Sequence, residues 1–85
     1  PETGLKPVGF LDDNRRKVGQ QIASVPVLGT SADLERTIKD EDIDEVLIAI
    51  PSAEGKVLRN IVNRITATKS SVKYRTIPGV YELLT

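Results

Sequence analysis

The fold of this chain is decided by one stretch, Glu45-Val46-Leu47-Ile48-Ala49-Ile50-Pro51-Ser52-Ala53. Five consecutive apolar residues indicate a strand that is buried on both faces, which is typical of parallel strands in α/β folds. Pro51 cannot donate to a strand ladder and ends the strand, and Ser52 is a good N-cap for a following helix. The stretch therefore places a helix N-terminus at the carboxyl edge of a parallel strand, where ligands bind in open α/β sheets.

Strands and helices alternate on both sides of this stretch. The expected strands are 7–11, 25–29, 45–50 and 72–77, and the expected helices begin near residues 30, 53 and 80. Thr30 with Asp33 three residues later forms an acidic variant of the capping box, and Pro26 suggests that its strand lies at a sheet edge. The order predicts an α/β fold, a small three-layer sandwich with a parallel sheet of about four strands.

Length and composition limit the classes of function. The 85 residues make one domain, 1–85, of which residues 1–6 look like a linker. Twelve basic and twelve acidic residues leave no net charge, which argues against binding nucleic acid or an anionic membrane directly through bulk charge. The chain has no Cys, His or Met, so thiolate and imidazole chemistry and the matching metal ligands are excluded, and we expect no metal site.

Several stretches occur in an order that resembles a known family. They are Pro7-Val8-Gly9-Phe10-Leu11-Asp12-Asp13, Gly19, Val25-Pro26-Val27-Leu28-Gly29, residues 44–53, Ile77-Pro78-Gly79 and Tyr81-Glu82-Leu83-Leu84. The series is similar to the Rossmann-like, CoA-binding-like domain of bacterial polysaccharide-biosynthesis nucleoside-diphosphate-sugar epimerase/dehydratases. The resemblance extends from Pro7 to Leu84 and implies a domain of the nucleotide- or dinucleotide-binding type.

The chain departs from the family pattern in one respect. The family carries a G-x-G-x-x-G loop on its first strand, whereas the six glycines of this chain are scattered. The resemblance therefore implies a partial Rossmann-like domain that begins just before the second strand. The family's catalytic residues have no counterparts here, so no catalytic residue is assigned. NAD(P) or a nucleotide is the cofactor implied for the intact domain, and we expect none to bind tightly to this chain alone.

The resemblance also implies partners and a location. The partner is the remainder of the parent chain, which supplies the missing first strand and the catalytic domain, and a homo-oligomer is an open alternative. The parent protein would lie at the cytoplasmic face of the bacterial inner membrane, with no direct membrane contact by this domain. Two other functions remain open: the equivalent domain of an undecaprenyl-phosphate sugar-phosphate transferase, and a structural or interaction module without a ligand.

Five residues are candidates for cofactor binding, and each also has an ordinary structural interpretation. Asp12 and Asp13 end the first strand, where an acidic residue accepts from ribose hydroxyls in dinucleotide-binding folds, but the pair is also a good turn former. Ser52 and Ala53 begin a helix that would attract an anion, although Ser52 is also a plain N-cap. Gly79 after Pro78 would let a ligand approach the backbone, or it is only a turn residue.

The missing first strand leads to a specific prediction about the sheet. In the family-like order that strand would lie between the strands of Phe10 and Leu47. Unpaired groups buried in such a gap cost about 1–3 kcal/mol each. We therefore expect the gap to close, giving the parallel strand order Val27, Phe10, Leu47, Tyr74. The competing arrangement is a partner chain that supplies the missing strand by β-augmentation.

Overall fold

The computed structural model describes residues 4–49 and 55–77. In chain order the elements are β1 (Phe10–Leu11), β2 (Gln21–Ile22), β3 (Val25–Gly29), α1 (Leu34–Asp40), β4 (Glu45–Ile48), α2 (Gly55–Thr68) and β5 (Lys73–Thr76). Short 3-10 turns lie at Arg15–Lys17 and Ser31–Asp33. The α/β class with parallel strand pairs is confirmed, and the helix expected near residue 80 lies outside the described residues.

The described strands form two sheets. The first has the order β1-β3-β2, with β1 parallel and β2 antiparallel to β3, and the second contains β4 and β5, which are parallel. Phe10 lies opposite Val27, and Val46 lies opposite Tyr74. Two of the three strand pairings expected from the sequence are therefore confirmed. The hairpin partner β2 was not expected.

The predicted closure between the Phe10 strand and the Leu47 strand is wrong. In the described residues β1 pairs only with β3, and β4 pairs only with β5. The cost assumed for a gap applies to buried groups, but the Phe10 and Leu47 side chains are 40% and 44% exposed, so water can reach this region. In addition, β1 has two residues with a register shift between them, and such a short, irregular strand is a poor template for another ladder.

The prediction that Pro26 marks a sheet edge is also wrong, because β3 is the middle strand of its sheet. Val27 directs its N–H to the carbonyl of Gln20 and its carbonyl to the N–H of Gly19. Backbone groups of neighbouring residues point to opposite edges, so the nitrogen of Pro26 faces the β1 side. There the pairing with β1 begins only at Val27, and the missing N–H of Pro26 lies beside the end of the ladder.

One aliphatic core joins the helices to the second sheet. The buried cluster consists of Leu34, Ile38, Ile48, Ile65 and Val72, and the partly buried residues packed against it are Leu11, Ile43, Val46, Leu58, Ile61 and Val62. The expectation that β4 is buried on both faces is wrong: Ile48 is buried, but the neighbouring Leu47 is exposed. Since successive side chains of a strand point to opposite faces, the described helices cover only the Ile48 face of β4.

The start of α1 follows the predicted capping box. The Thr30 N–H donates to Asp33 Oδ2 at 3.0 Å, and the Thr30 hydroxyl accepts from the Ala32 N–H at 3.3 Å. Gly29 immediately precedes this cap, and a Cβ at this position would lie 2.9 Å from Asp33 Cγ. Glycine therefore allows β3 to run directly into the capped turn that begins the helical segment.

Candidate functional site

Asp12 follows β1 at its carboxyl end and is held by its own loop. Its N–H donates to the carbonyl of Gly29, which continues the contact between β1 and β3. Its Oδ1 accepts from the Asn14 N–H at 2.8 Å, and its Oδ2 lies 3.4 Å from Lys17 Nζ. The Asn14 bond chiefly lowers the pKa of Asp12, and Lys17 lowers it further. The carboxylate is thus ionised at neutral pH, one-third exposed, and next to a cation.

Asp13 points to a different partner. Its Oδ1 accepts from the Ser31 N–H at 2.9 Å, 18 residues along the chain, at the turn that leads into α1. This backbone bond is the main cause of the lowered pKa of Asp13. The two adjacent carboxylates therefore bind separate groups. In residues 4–49 and 55–77 no group of three or more Asp, Glu, His or Cys side chains could hold a metal ion.

The turn at Ser31 is also held from the side of α2. Arg64 Nε donates to Glu35 Oε2 at 2.7 Å, and Arg64 Nη2 donates to Glu35 Oε1 at 2.6 Å and to the Ser31 carbonyl at 2.7 Å. Arg64 lowers the pKa of Glu35 to about 2, and Glu35 in turn raises the pKa of Arg64. Arg64 was not predicted as a site residue, because a contact between residues 29 apart leaves no local pattern in the sequence.

The basic turn beside Asp12 has a defined conformation. The Asn14 side chain accepts from the Arg16 N–H at 3.1 Å and caps the 3-10 turn Arg15–Lys17. Lys17 at its end is the cation that approaches Asp12. A carboxylate and an ammonium group therefore lie side by side at the carboxyl end of β1.

The structure thus describes two of the five predicted site residues. Asp12 and Asp13 lie where the sequence placed them, directly after β1 and beside the end of β3. Ser52, Ala53 and Gly79 lie outside the described residues, so their convergence with Asp12 remains a prediction.

The Glu35–Arg64 ion pair should make stability depend on pH. The ordinary pKa of 4.5 falls to about 2 on folding, so the stabilisation is complete above about pH 4.5 and is lost as the pH falls toward 2. Both side chains are partly exposed, at 42% for Glu35 and 26% for Arg64, so solvent screening limits the effect to about 1 kcal/mol. Urea unfolding at pH 6 should show Glu35→Gln to be less stable than the wild type, and the difference should shrink at pH 2.5.

The matched control for this measurement is Glu41→Gln, which removes an exposed carboxylate just beyond α1. It should leave the pH dependence nearly unchanged. A gap between the wild type and Glu35→Gln that stays constant from pH 6 to pH 2.5 would contradict the prediction.

Comparison with known proteins identifies the domain. Residues 1–78 match a family described as a CoA-binding domain. The chain is 29% identical over 72 residues to the probable polysaccharide biosynthesis protein EpsC of Bacillus subtilis strain 168; the match covers 85% of this chain and 12% of EpsC. The chain therefore spans about one-eighth of the length of that relative.

A solved structure agrees with this result. The crystal structure of UDP-D-quinovosamine 4-dehydrogenase from Vibrio fischeri superposes with a TM-score of 0.70 and 29% identity, covering 98% of this chain and 67% of that chain. None of the described helices has the length and apolar character that crossing a membrane would require. This chain belongs to the CoA-binding domain family, and its resemblance to the Rossmann-like domain of polysaccharide-biosynthesis proteins is confirmed.

Proposed function

We propose that this chain is an accessory domain of the nucleotide- or dinucleotide-binding type in a bacterial polysaccharide-biosynthesis nucleotide-sugar epimerase or dehydratase. The observation that carries the proposal is the position of Asp12, an ionised and partly exposed carboxylate at the carboxyl end of a parallel strand. In dinucleotide-binding folds an acidic residue at this place accepts from ribose hydroxyls. The names of the relatives, a polysaccharide biosynthesis protein and a UDP-sugar dehydrogenase, support the class of parent enzyme.

The chemistry around Asp12 suits a ligand that carries both a sugar and a phosphate. The carboxylate provides acceptors for ribose hydroxyls, and Lys17 beside it provides a cation for a phosphate group. NAD(P) or a nucleotide is the ligand proposed for the intact domain. The chain lacks the glycine-rich loop that approaches a pyrophosphate. We therefore expect a dissociation constant near 1 mM, which corresponds to a binding free energy of roughly −4 kcal/mol.

We further propose that the partner is the remainder of the parent chain, at the cytoplasmic face of the inner membrane. The described residues leave one edge of β1 and one edge of β4 without a neighbouring strand. Leu11 of β1 and Val46 of β4 nevertheless pack against the same core cluster. An additional strand from the parent would pair with these edges, and the relatives that extend beyond the match have chain available for it.

A titration followed by amide chemical shifts tests the proposed binding site. NAD, a UDP-sugar and coenzyme A are each added to millimolar concentration, and we expect shifts at Asp12, Asp13, Ser52, Ala53 and Gly79 together. Asp12→Asn should abolish the response, whereas Asp40→Asn, at the exposed end of α1, should retain it.

Three outcomes would contradict the proposal. Shifts confined to α2, or no shift with any of the three compounds, would favour a structural module without a ligand. The isolated chain should turn over no nucleotide sugar, because it has no His, no Cys and no recognisable catalytic pair. Measurable epimerase or dehydratase activity of the pure chain would refute the accessory role.

A further inference from the structure

We propose that Arg64 of α2 is the positioning residue for the ligand loop, residues 12–17, and that it acts through Ser31. This inference rests on the proposed function, because it assigns a role to the loop that carries Asp12. Arg64 is anchored by Glu35, binds the carbonyl of Ser31, and so adds a restraint from α2 to the capped turn to which Asp13 binds.

Arg64 is held in one orientation by Glu35. Two parallel hydrogen bonds to the Glu35 carboxylate fix the plane of the guanidinium group, and this bidentate geometry is the strong form of the pair. Arg64 Nη2 also donates a hydrogen bond to the Ser31 carbonyl at 2.7 Å. Because the guanidinium group is held in this plane by Glu35, the direction of its bond to the Ser31 carbonyl is also restricted.

Both backbone polar groups of Ser31 are hydrogen-bonded. Its carbonyl accepts from Arg64 and from the Leu34 N–H, and its N–H donates to Asp13. These two groups belong to the peptide units on either side of the Ser31 Cα atom. Because both units are held, the backbone dihedral angles of Ser31 are restricted, and Arg64 contributes from α2 to the direction of its N–H toward Asp13.

Asp13 connects Ser31 to the ligand loop. Asp13 is tied to Ser31, while Asp12 is tied to Asn14 and Lys17 within the loop. If the Ser31 N–H turns away, Asp13 loses its backbone partner 18 residues distant, and the loop keeps its local bonds and the bond from the Asp12 N–H to the Gly29 carbonyl. Arg64 thus restrains the presentation of Asp12 through Ser31 and Asp13, and its charge also lowers the pKa of Asp13 directly.

The test separates the position of Arg64 from its charge. Arg64→Gln removes both, whereas Arg64→Lys keeps the charge but lacks the planar fork that binds the Glu35 carboxylate by two parallel bonds. Arg36→Gln is the matched control, because Arg36 is an exposed cation bound to Asp33 in the same turn. Each 85-residue variant is examined by the Ser31 amide shift, by the Asp13 carboxyl titration, and by affinity for NAD and coenzyme A.

Both Arg64 variants should move the Ser31 amide resonance and raise the pKa of Asp13 toward its ordinary value. They should also weaken binding of whichever probe the wild type binds by about three- to tenfold, the net equivalent of one hydrogen bond. Arg36→Gln should leave the Ser31 amide and probe affinity as in the wild type.

Several results would overturn the inference. If Arg64→Lys behaves like the wild type, Arg64 acts through its charge alone and not by position, and this variant decides the matter if Arg64→Gln does not fold. An effect of Arg36→Gln equal to that of Arg64→Gln would also refute it. If the wild type binds no probe, the proposed function fails, but the Ser31 and Asp13 measurements still show whether Arg64 positions the loop.

Discussion

Replacing Ile65 by alanine should lower the free energy of unfolding by about 3–4 kcal/mol, within the range measured for deleting a fully buried isoleucine side chain. Ile65 lies on α2 with none of its surface exposed, and it belongs to the cluster that joins both helices to β4 and to Val72. The loss combines the transfer of buried methyl groups with the cavity left behind. A domain of 85 residues has only about 5–10 kcal/mol of net stability, so the variant should retain about 1–7 kcal/mol.

Urea unfolding followed by circular dichroism measures this effect. The matched control is Val57→Ala, on the same helix, where the side chain is 41% exposed. Since little apolar surface is removed from water there, the control should cost less than about 1 kcal/mol. Equal losses for the two variants would mean that α2 does not present its Ile65 face to the core.

The sequence predicted those elements whose signals are local. The capping box of Thr30 and Asp33 and the extent of β3 follow from residue types within a few positions. The parallel pairing of β4 with β5 is not local, and it was expected from the strand-helix-strand order and the family-like order of the strands. The hairpin of β2 and β3 was missed. Its turn is formed by Ala23 and Ser24, which both have positive φ. Such turns usually contain Asn or Gly, so these residue types gave no signal for a hairpin.

The errors have a common physical origin in tertiary contacts. A proline normally indicates an edge strand, yet Pro26 is accommodated in a central strand because the neighbouring β1 begins one residue later. An apolar run normally indicates burial on both faces, yet Leu47 is exposed because the described helices lie on one side only. Both facts depend on the lengths and positions of other elements, which residue types alone do not encode.

The location of the candidate site was predictable from the sequence, but the hydrogen-bond partners of its residues were not. A strand followed by two acidic residues places Asp12 and Asp13 at a carboxyl edge. That Asp13 would bind the Ser31 N–H, and that Arg64 would hold the same residue, depends on how α1 and α2 pack. The site residues Ser52, Ala53 and Gly79 remain predictions that the proposed titration addresses.

The open edge of β4 should be visible in hydrogen exchange at single residues. The Asp44 carbonyl accepts from the Lys73 N–H and the Ile48 carbonyl from the Ile77 N–H, each at 2.9 Å. Backbone groups of successive strand residues point to opposite edges, so Leu47 directs its N–H away from β5. Within the described residues no strand pairs with that edge. The Leu47 amide should therefore exchange about a hundred- to ten-thousandfold faster than the amides of Val46 and Ile48, whose hydrogen bonds break only when the sheet opens.

The same measurement tests the proposal that the parent chain supplies a further strand. Exchange is measured by nuclear magnetic resonance for the 85-residue chain at low and high concentration, and by mass spectrometry of peptides spanning Leu47 for the intact parent protein. We expect the Leu47 amide to be unprotected in the dilute chain and protected in the parent, because a strand paired with this edge of β4 would accept its N–H. Protection that appears only at high concentration would assign the strand to a second copy of the chain. Rapid exchange in the parent would refute strand addition, and equal protection of Leu47 and Val46 in the dilute chain would refute the open edge itself.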